Sequence, residues 1–387
     1  MNAGTAEKGL HITIGTTPGR GKRLLEGEIQ LLKAALLYAD HVLLCSSGSS
    51  LLTSLVVFGE LASTANQKDQ IELTRQLIPS FQHGEGEVDN TLAMLDMYKS
   101  ILSKREKKQR LAKEELLLEY RLRPQFQKIY RGLNESINSI AENAGLGEIV
   151  IALESGILEF RFLETATVGD DSEEMIKEYL DVIGHAVAEG VSYPLLDDLT
   201  GNLIRASIAE GKLEVSDLAV NRGKHAGLIS DLLGRLPLFD QASVQEVLDI
   251  RKELERPLVR FRAAVSRYSD TMGSAQWDKN FPIEAGKIFV TEVQPAVLDI
   301  EDAIKSNHYL LQLASRYANK HETLAIPVLA VFMAQFSSLP EIVSLAMGTA
   351  AVAAQIVDVY REWKEKQREI EKNQLFFYYR VGKLMEA

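Results

Sequence analysis

The chain has 387 residues, of which 46% are hydrophobic and 25% charged, and this ordinary globular balance excludes a disordered or fibrous protein. Its 54 acidic and 43 basic residues leave a formal charge of −11, which argues against nucleic-acid binding by the surface as a whole. A single cysteine, Cys45, excludes an internal disulfide framework and a multi-cysteine zinc site.

The length predicts two or three domains at about 100–200 residues each. Residues 1–9 are polar and lack the apolar core and small-residue cleavage site of a secretory signal. Together with the lone thiol, this favours a cytoplasmic protein.

Residues 10–62 alternate between strand and helix signals. A β-branched run at 10–16 ends at Thr17-Pro18-Gly19, and residues 24–39 then carry apolar side chains at helical spacing. A second apolar run at 42–45 is followed by a second helical pattern at 51–61. This order predicts two parallel strands joined by a right-handed crossover.

The next segments predict helices and then a return to strands. Residues 64–87 are polar and predict a connection, and residues 88–144 are helical, with Pro124 as their predicted dividing point. Residues 149–153 and 157–163 flank Glu154-Ser155-Gly156, which is typical of a tight hairpin.

From residue 171 onward the pattern predicts helices almost throughout. Ser243 and Glu246 match a capping box, and the helix that follows has heptad spacing with Pro257 as a predicted kink or break. A further helix at 283–318 is predicted to be interrupted at Pro295. Arg256, Arg260 and Arg267 form a stripe that could bind phosphate, although Glu253, Glu255 and Asp270 neutralise much of it.

These elements predict a mainly α fold with a small α/β N-terminal part, that is, a helical bundle plus a short sheet. We expect residues 1–165 to form the α/β unit, with long basic helices inserted at 88–144. We expect residues 166–387 to form a helical bundle that ends in an apolar helical hairpin at 323–357.

The first candidate site is the glycine-rich turn between the first strand and the first helix, where a phosphate could bind exposed backbone N–H groups. A P-loop needs four residues between its first glycine and its Gly-Lys-Ser/Thr end, but five separate Gly15 from Gly21, and Arg23 replaces the hydroxyl residue. The glycines are also too far apart for a dinucleotide fingerprint. The turn is either an anion site or a flexible connection; its candidate phosphate ligands are Gly15, Thr16, Gly19, Gly21 and Lys22.

The second candidate site is the serine-rich segment after the second strand, with Ser47, Gly48 and Ser49 as candidate phosphate ligands. The carboxyl ends of parallel strands share one edge of a sheet, so we expect both turns to open into the same crevice. The alternative is a simple strand exit and helix cap. Cys45 could act as a nucleophile only if a base lowered its pKa.

The third candidate is a basic segment. Residues 99–131 contain eleven Lys and Arg against four Glu, and Lys104, Arg105, Lys107, Lys108 and Arg110 follow one another without an apolar residue between them. A basic helix of this kind could contact an acidic protein or, through 99–131 only, nucleic acid. The alternative is a solvated helix face or a helix that docks on the acidic remainder of the chain.

The fourth candidate is the apolar C-terminal stretch. Between Glu322 and Asp358 the only charged residue is Glu341, which divides two uncharged runs. Each run is shorter than the about 20 residues that a spanning helix needs. The pattern favours a buried helical hairpin, with a conditional membrane-inserting hairpin at 323–357 as the alternative.

Other searches of the sequence are negative. The histidines form no metal-ligand spacing, no nucleophile elbow occurs, and no cofactor can be inferred. Asp197 and Asp198 could bind magnesium, but adjacent carboxylates in a turn are usually solvated.

The leading hypothesis is a non-enzymatic interaction or regulatory protein that works through helical surfaces on a protein partner or on a second copy of itself, for example as a subunit of a bacterial multi-protein system. One alternative is a phosphate- or nucleotide-binding enzyme or sensor that uses the N-terminal loops. Another is a membrane-acting effector in stress or antiviral defence that uses the C-terminal hairpin.

Overall fold

The computed structural model describes residues 9–17, 23–64, 66, 68–72, 85–165, 172–319 and 350–386. The protein is mainly α-helical with a small parallel sheet in its N-terminal part, which confirms the predicted fold class. The chain forms two compact units: residues 1–230, 243–248 and 274–279 make up the first, and residues 231–242, 249–273 and 280–387 make up the second. The division at residue 165 stays a prediction.

The first unit is built on a four-stranded sheet in which every described pairing is parallel. Its strands are β1 (His11–Thr16), β2 (His41–Ser46), β3 (Leu158–Arg161) and β4 (Tyr193–Leu196), in the order β3-β2-β1-β4. β1 and β2 are buried along most of their length because helices cover the central strands of a parallel sheet on both faces.

The connections between these strands run in two directions. The chain moves outward from β1 through α1 (Glu26–Tyr38) to β2, and then through α2 (Ser47–Thr64), α3 (Glu85–Glu106), α4 (Lys113–Ala144) and α5 (Leu146–Glu154) to β3. It then returns past β1 through α6 (Ser172–Glu189) to β4. Because crossovers between parallel strands are right-handed, this reversal puts α1 and α6 on opposite faces. The boundary between β1 and β4 is therefore a topological switch point.

The packing of α6 on the sheet explains one residue of the glycine-rich turn. A Cβ atom at Gly15 would lie 2.7 Å from Cδ1 of Ile183 and 3.0 Å from Cδ2 of Leu196. Ile183 belongs to a buried cluster with Cys45 and Tyr179. Glycine at position 15 therefore allows α6 to approach β1 closely.

The predicted hairpin at 149–163 is wrong in its first half. Residues 146–154 form α5, in which Ile149 and Ala152 are the buried positions, and β3 pairs parallel with β2 instead of turning back on a neighbour. A short apolar run does not distinguish a buried helix from a strand by its pattern. Gly145, in the left-handed region at φ 96°, ends α4 and starts α5.

Two further expectations differ from the structure. Pro124 lies inside α4 and does not divide it; the break between α3 and α4 comes at residues 107–112. Pro124 is exposed, so water can satisfy the carbonyl that loses its intrahelical partner. The predicted run of helices after residue 171 is interrupted by β4, a strand of four residues.

The remaining helices are α7 (Asp198–Ala209), α8 (Asp217–Gly234), α9 (Val244–Glu253), α10 (Glu255–Asp270), α11 (Phe281–Ile288), a π-helical turn (Phe289–Val293), α12 (Gln294–Asn319), α13 (Ala350–Glu371) and α14 (Phe376–Glu386). The predicted capping box is confirmed, since Ser243 and Glu246 bond each other's backbone N–H groups. The predicted breaks are confirmed too: α9 gives way to α10 at Leu254, close to Pro257, and the π-helical turn precedes Pro295.

The core of the second unit contains stacked aromatic rings. Phe261 of α10 lies 5.1 Å from Phe377 of α14, measured between ring centroids, at an interplanar angle of 25°. Leu258, Val265 and Val381 are also buried. Helical spacing on α10 thus places its apolar seam against α14.

Within the part of the chain that is described, no helix combines the length and the apolar character needed to cross a bilayer. Most of the predicted apolar hairpin at 323–357 lies outside the described residues. Its last residues, 350–357, begin α13.

Candidate ligand site at the carboxyl edge of the sheet

Three strands of the first unit end at one edge, and each is followed by a helix. β1 ends at Thr16, β2 ends at Ser46 directly before α2, and β4 ends at Leu196 shortly before α7. The helices begin at this edge, so the positive ends of their dipoles point toward it. In open parallel sheets such an edge, at a switch point, is where ligands bind.

A buried carboxyl group lies at the centre of this edge. Glu28, in the first turn of α1, is 2% exposed, and the Ser49 hydroxyl donates a hydrogen bond of 2.6 Å to its Oε2. The Ser46 hydroxyl accepts a bond of 2.9 Å from the Ser49 backbone N–H, so Ser46 caps α2. The second serine segment is thus the first turn of a helix and not an open loop.

Two polar atoms are buried at this edge, Oε1 of Glu28 and Oγ1 of Thr16. Neither has the geometry of a hydrogen bond to a described residue, although Thr16 lies near enough to Glu28 to lower the pKa of its carboxyl. Thr16 is 1% exposed. An unsatisfied buried polar atom costs about 1–3 kcal/mol, so native proteins contain few of them. A bound ligand would supply the missing partners.

The environment of Glu28 favours its neutral form. Burial raises the pKa of this carboxyl, and the negative charge of Asp197 raises it further. The hydroxyls of Ser49, Ser46 and Thr16 act in the opposite direction but do not cancel the rise in pKa. The carboxyl can therefore donate a hydrogen bond over a wider pH range than an exposed glutamate.

Asp197 joins the two sides of the switch point. Its Oδ2 accepts hydrogen bonds from the backbone N–H and the hydroxyl of Thr17, at 2.7 and 2.9 Å. Its Oδ1 accepts from the backbone N–H of Thr200 at 2.7 Å and so caps α7. Asp197 thus holds the end of β1 to the start of α7.

A metal site at Asp197 and Asp198 finds no support in the described residues. No three or more His, Cys, Asp or Glu side chains within the described ranges are grouped so that they could hold a metal ion.

The candidate phosphate residues are only partly brought together. Thr16 and Ser49 both lie at Glu28. Gly15 packs under α6, and Ser47 and Gly48 are the first residues of α2. Gly19, Gly21 and Lys22 lie outside the described residues.

The sequence reasoning missed Glu28, although a glutamate in the first turn of the helix after a glycine-rich turn was a usable signal.

The surroundings of Cys45 do not activate its thiol as a nucleophile. Cys45 is fully buried in the cluster under α6, and burial raises its pKa to about 12. Arg161 lowers the pKa only in part. A thiol with so high a pKa is neutral at physiological pH and is a weak nucleophile.

A cavity of about 700 Å³ lies between the sheet and α6, beside the first residues of β1 and β2. Its lining includes His11, His41 and His185, with the His11 and His41 rings 5.2 Å apart and Nε2 of His41 3.5 Å from Glu159. None of the described buried atoms that lack a hydrogen-bond partner lines this cavity. The carboxyl edge is therefore the stronger candidate of the two.

The basic residues predicted as an interaction surface fall into two groups. Lys104 pairs with Glu115, and Arg105 pairs with Glu119 at 2.7 Å, so these two link α3 to α4. Lys107, Lys108 and Arg110 lie in the connection between the two helices, where they are exposed and form no ion pair with a described residue. The exposed basic surface is thus a turn at the tip of a helical hairpin.

Comparison with known proteins found no matching family model, no matching curated protein and no matching solved structure. Function is therefore inferred from the geometry of the site alone.

Proposed function

We propose that the protein is a ligand-binding regulatory protein whose N-terminal α/β unit binds a small phosphorylated ligand of nucleotide size at the carboxyl edge of β1, β2 and β4. The observation that carries the proposal is the pair of buried polar atoms Glu28 Oε1 and Thr16 Oγ1 at a topological switch point, which lie near each other but form no well-formed hydrogen bond with a described residue. A ligand placed there would satisfy both atoms.

The chemistry of the edge is compatible with a phosphorylated ligand. Helix N-termini favour an anion, and the threonine hydroxyl can donate to a phosphate oxygen. A protonated Glu28 does the same and does not repel the anion. When ionised, Glu28 would instead accept from a ribose hydroxyl. The glycine-rich turn that follows β1 carries Arg20 and Lys22 close by in sequence.

The proposal is tested by thermal-shift measurements and calorimetry with ATP, GTP, ADP and NAD, each with and without Mg²⁺. We expect at least one of these ligands to raise the melting temperature. The variant Thr16→Val should weaken its binding by about tenfold or more, since it removes from the protein a hydroxyl that would bond the ligand.

Thr13→Val is the matched control. Thr13 is also a buried threonine of β1, but its hydroxyl bonds Ser192 at 2.6 Å near the other end of the strand. Binding should survive this change. A lack of any shift with every nucleotide, or equal binding by Thr16→Val and wild type, contradicts the proposal.

The exposed basic turn favours a second candidate function, which is contact with an acidic protein surface. We propose that this surface belongs to another copy of the chain. Residues 99–131 carry a net charge of +7. Because the whole chain has a formal charge of −11, the remaining residues carry −18. Next to the turn, Leu116 and Tyr120 of α4 are 48% and 83% exposed. Exposed apolar and aromatic side chains beside unpaired cations are typical of an interaction surface.

Light scattering at low and high salt tests this second function. We expect an oligomer at low salt that dissociates at high salt and in the variant Lys107→Glu/Lys108→Glu. Lys177→Glu/Lys279→Glu, at exposed lysines elsewhere in the first unit, should leave the oligomer intact. A monomer under all conditions would count against self-association.

A further inference from the structure

We propose that the second unit carries a separate binding site for a small polyphosphorylated ligand, in a cavity of about 930 Å³ that we call the basic cavity. It is lined by the junction of α9 and α10 and by residues of α12, α13 and α14. Its volume lies in the range of roughly 300–1,000 Å³ in which small-molecule sites fall. This site is independent of the carboxyl edge of the sheet.

The charge of the basic cavity is opposite to that of the whole chain. Six cationic side chains line it, against three carboxylates. The cations are Lys252, Arg256, Arg260, Arg368, Lys372 and Arg380, and the carboxylates are Glu253, Glu255 and Glu371. In a protein of formal charge −11, a concave surface with excess positive charge concentrates anions there.

Most of these cations form no ion pair within the part of the chain that the structure describes. Arg380 pairs with Glu253 at 3.1 Å, whereas Lys252, Arg256, Arg368 and Lys372 form no ion pair with a described residue. Four like charges around one cavity repel one another, and a multivalent anion would relieve this repulsion. The unpaired cations therefore point to a ligand with several negative charges.

Arg260 adds a directional feature. Its Nη2 donates to the backbone carbonyl of Glu371 at 2.7 Å, which fixes the guanidinium in the wall of the cavity. Its Nε is buried and has no acceptor among the described residues. An anionic oxygen in the cavity would supply that acceptor, and guanidinium groups bind phosphate oxygens in this way.

The first turn of α10 also lines the basic cavity, through Leu254, Glu255, Arg256 and Pro257. No side chain caps this end of the helix. The helix dipole therefore favours an anion there. The carboxylate of Glu255, in the same turn, already offsets part of the positive end of that dipole. Tyr379, which is half-buried, also lines the cavity and offers a ring on which a planar base could stack. Together these features fit a nucleoside di- or triphosphate.

Calorimetry on the full-length protein with three probes tests this site: sodium tripolyphosphate, ATP and adenosine. We expect tripolyphosphate and ATP to bind and adenosine not to bind on its own, because the phosphates make the main contacts. Tighter binding of ATP than of tripolyphosphate would place the base on Tyr379. Equal affinity would leave a phosphate-only site.

The variant Arg256→Gln/Arg368→Gln should weaken tripolyphosphate binding by about tenfold or more, since each guanidinium contributes charge-assisted hydrogen bonds. The matched control Lys287→Gln/Lys305→Gln removes the same charge from the second unit at positions that do not line the cavity. The control should bind like wild type.

Repeating the titrations in Thr16→Val separates this site from the proposed function. Binding of tripolyphosphate should be unchanged in Thr16→Val and about tenfold or more weaker in Arg256→Gln/Arg368→Gln. Equal affinity in the cavity variant and its control overturns the proposal. A single-stranded oligonucleotide serves as a fourth probe. Its binding in the absence of tripolyphosphate binding would also overturn the proposal.

Discussion

The Ser49 hydroxyl donates a 2.6 Å hydrogen bond to the buried carboxyl of Glu28, and this bond joins the first turn of α2 to the first turn of α1. Both helices begin at the carboxyl edge of the sheet, so the bond fixes the floor of the candidate ligand site. It occupies Oε2, whereas Oε1 forms no well-formed hydrogen bond with a described residue. The stability of this edge and the proposed ligand binding therefore involve the same carboxyl group.

Replacing Ser49 should destabilise the protein. Ser49→Ala removes the hydroxyl that donates a 2.6 Å hydrogen bond to the buried carboxyl of Glu28, at a cost of about 1–3 kcal/mol. Ser47→Ala is the control, because Ser47 is also buried in the first turn of α2 but its side chain bonds no described residue. Urea unfolding compares the two variants. Equal loss of stability in both would contradict the role given to Ser49.

Glu28 should make stability depend on pH. Its pKa is raised in the folded protein, mainly by burial, so folding favours the protonated form. The stability associated with this group is fully present below its unfolded pKa and is lost as the pH rises through the folded pKa. Glu28→Gln keeps the shape without the charge. We expect its melting temperature to exceed that of wild type at about pH 8 and the difference to shrink toward pH 5.

The control for this pH experiment is Glu154→Gln at an exposed position of α5. Its melting temperature should follow that of wild type across the whole range. A Glu28→Gln curve that runs parallel to wild type would show that Glu28 does not contribute to the pH dependence.

Cys45 should be unreactive in the folded protein. The thiol is fully buried and its pKa is raised to about 12, so both access and thiolate content are low near pH 8. We expect one equivalent of thiol to react with Ellman's reagent in denaturant and almost none without it. Rapid labelling of the native protein at pH 8 is the result that would refute this expectation.

Gly15 should tolerate a side chain poorly. In Gly15→Ala the new Cβ would lie 2.7 Å from Cδ1 of Ile183, and overpacking of this kind costs about 1–3 kcal/mol. Ile183→Val removes the Cδ1 atom, so the double variant Gly15→Ala/Ile183→Val should recover part of the loss. A double-mutant cycle by urea unfolding measures the coupling. Additive effects would show that the two positions do not interact.

The sequence was sufficient to predict those elements that depend on a local pattern of residues. The first two strands and the helix between them follow from a β-branched run, helical spacing and a second apolar run, and the crossover rule makes them parallel. The capping box at Ser243 and the breaks near Pro257 and Pro295 depend on backbone chemistry within a few residues.

The wrong predictions of secondary structure concern segments whose conformation is determined by tertiary contacts. Residues 146–154 are apolar enough for either a strand or a buried helix, and their packing beside α1 selects the helix. β4 has only four residues, and its position beside β1 could not be read from its own sequence.

The convergence of two turns on one edge could be predicted from parallel strands. The burial of Glu28 could not be, since it depends on how α1 and α2 approach each other.

The interleaving of the two units along the chain limits how the protein can be dissected. Residues 274–279 belong to the first unit, where Ala275 and Trp277 complete the apolar cluster under α6, and Arg205 donates to the Trp277 carbonyl at 3.2 Å. A fragment that stops at residue 230 would lack these groups and expose the surface they cover. Isolated halves are therefore poorly suited to testing the proposed ligand site, and point variants of the intact protein are better suited.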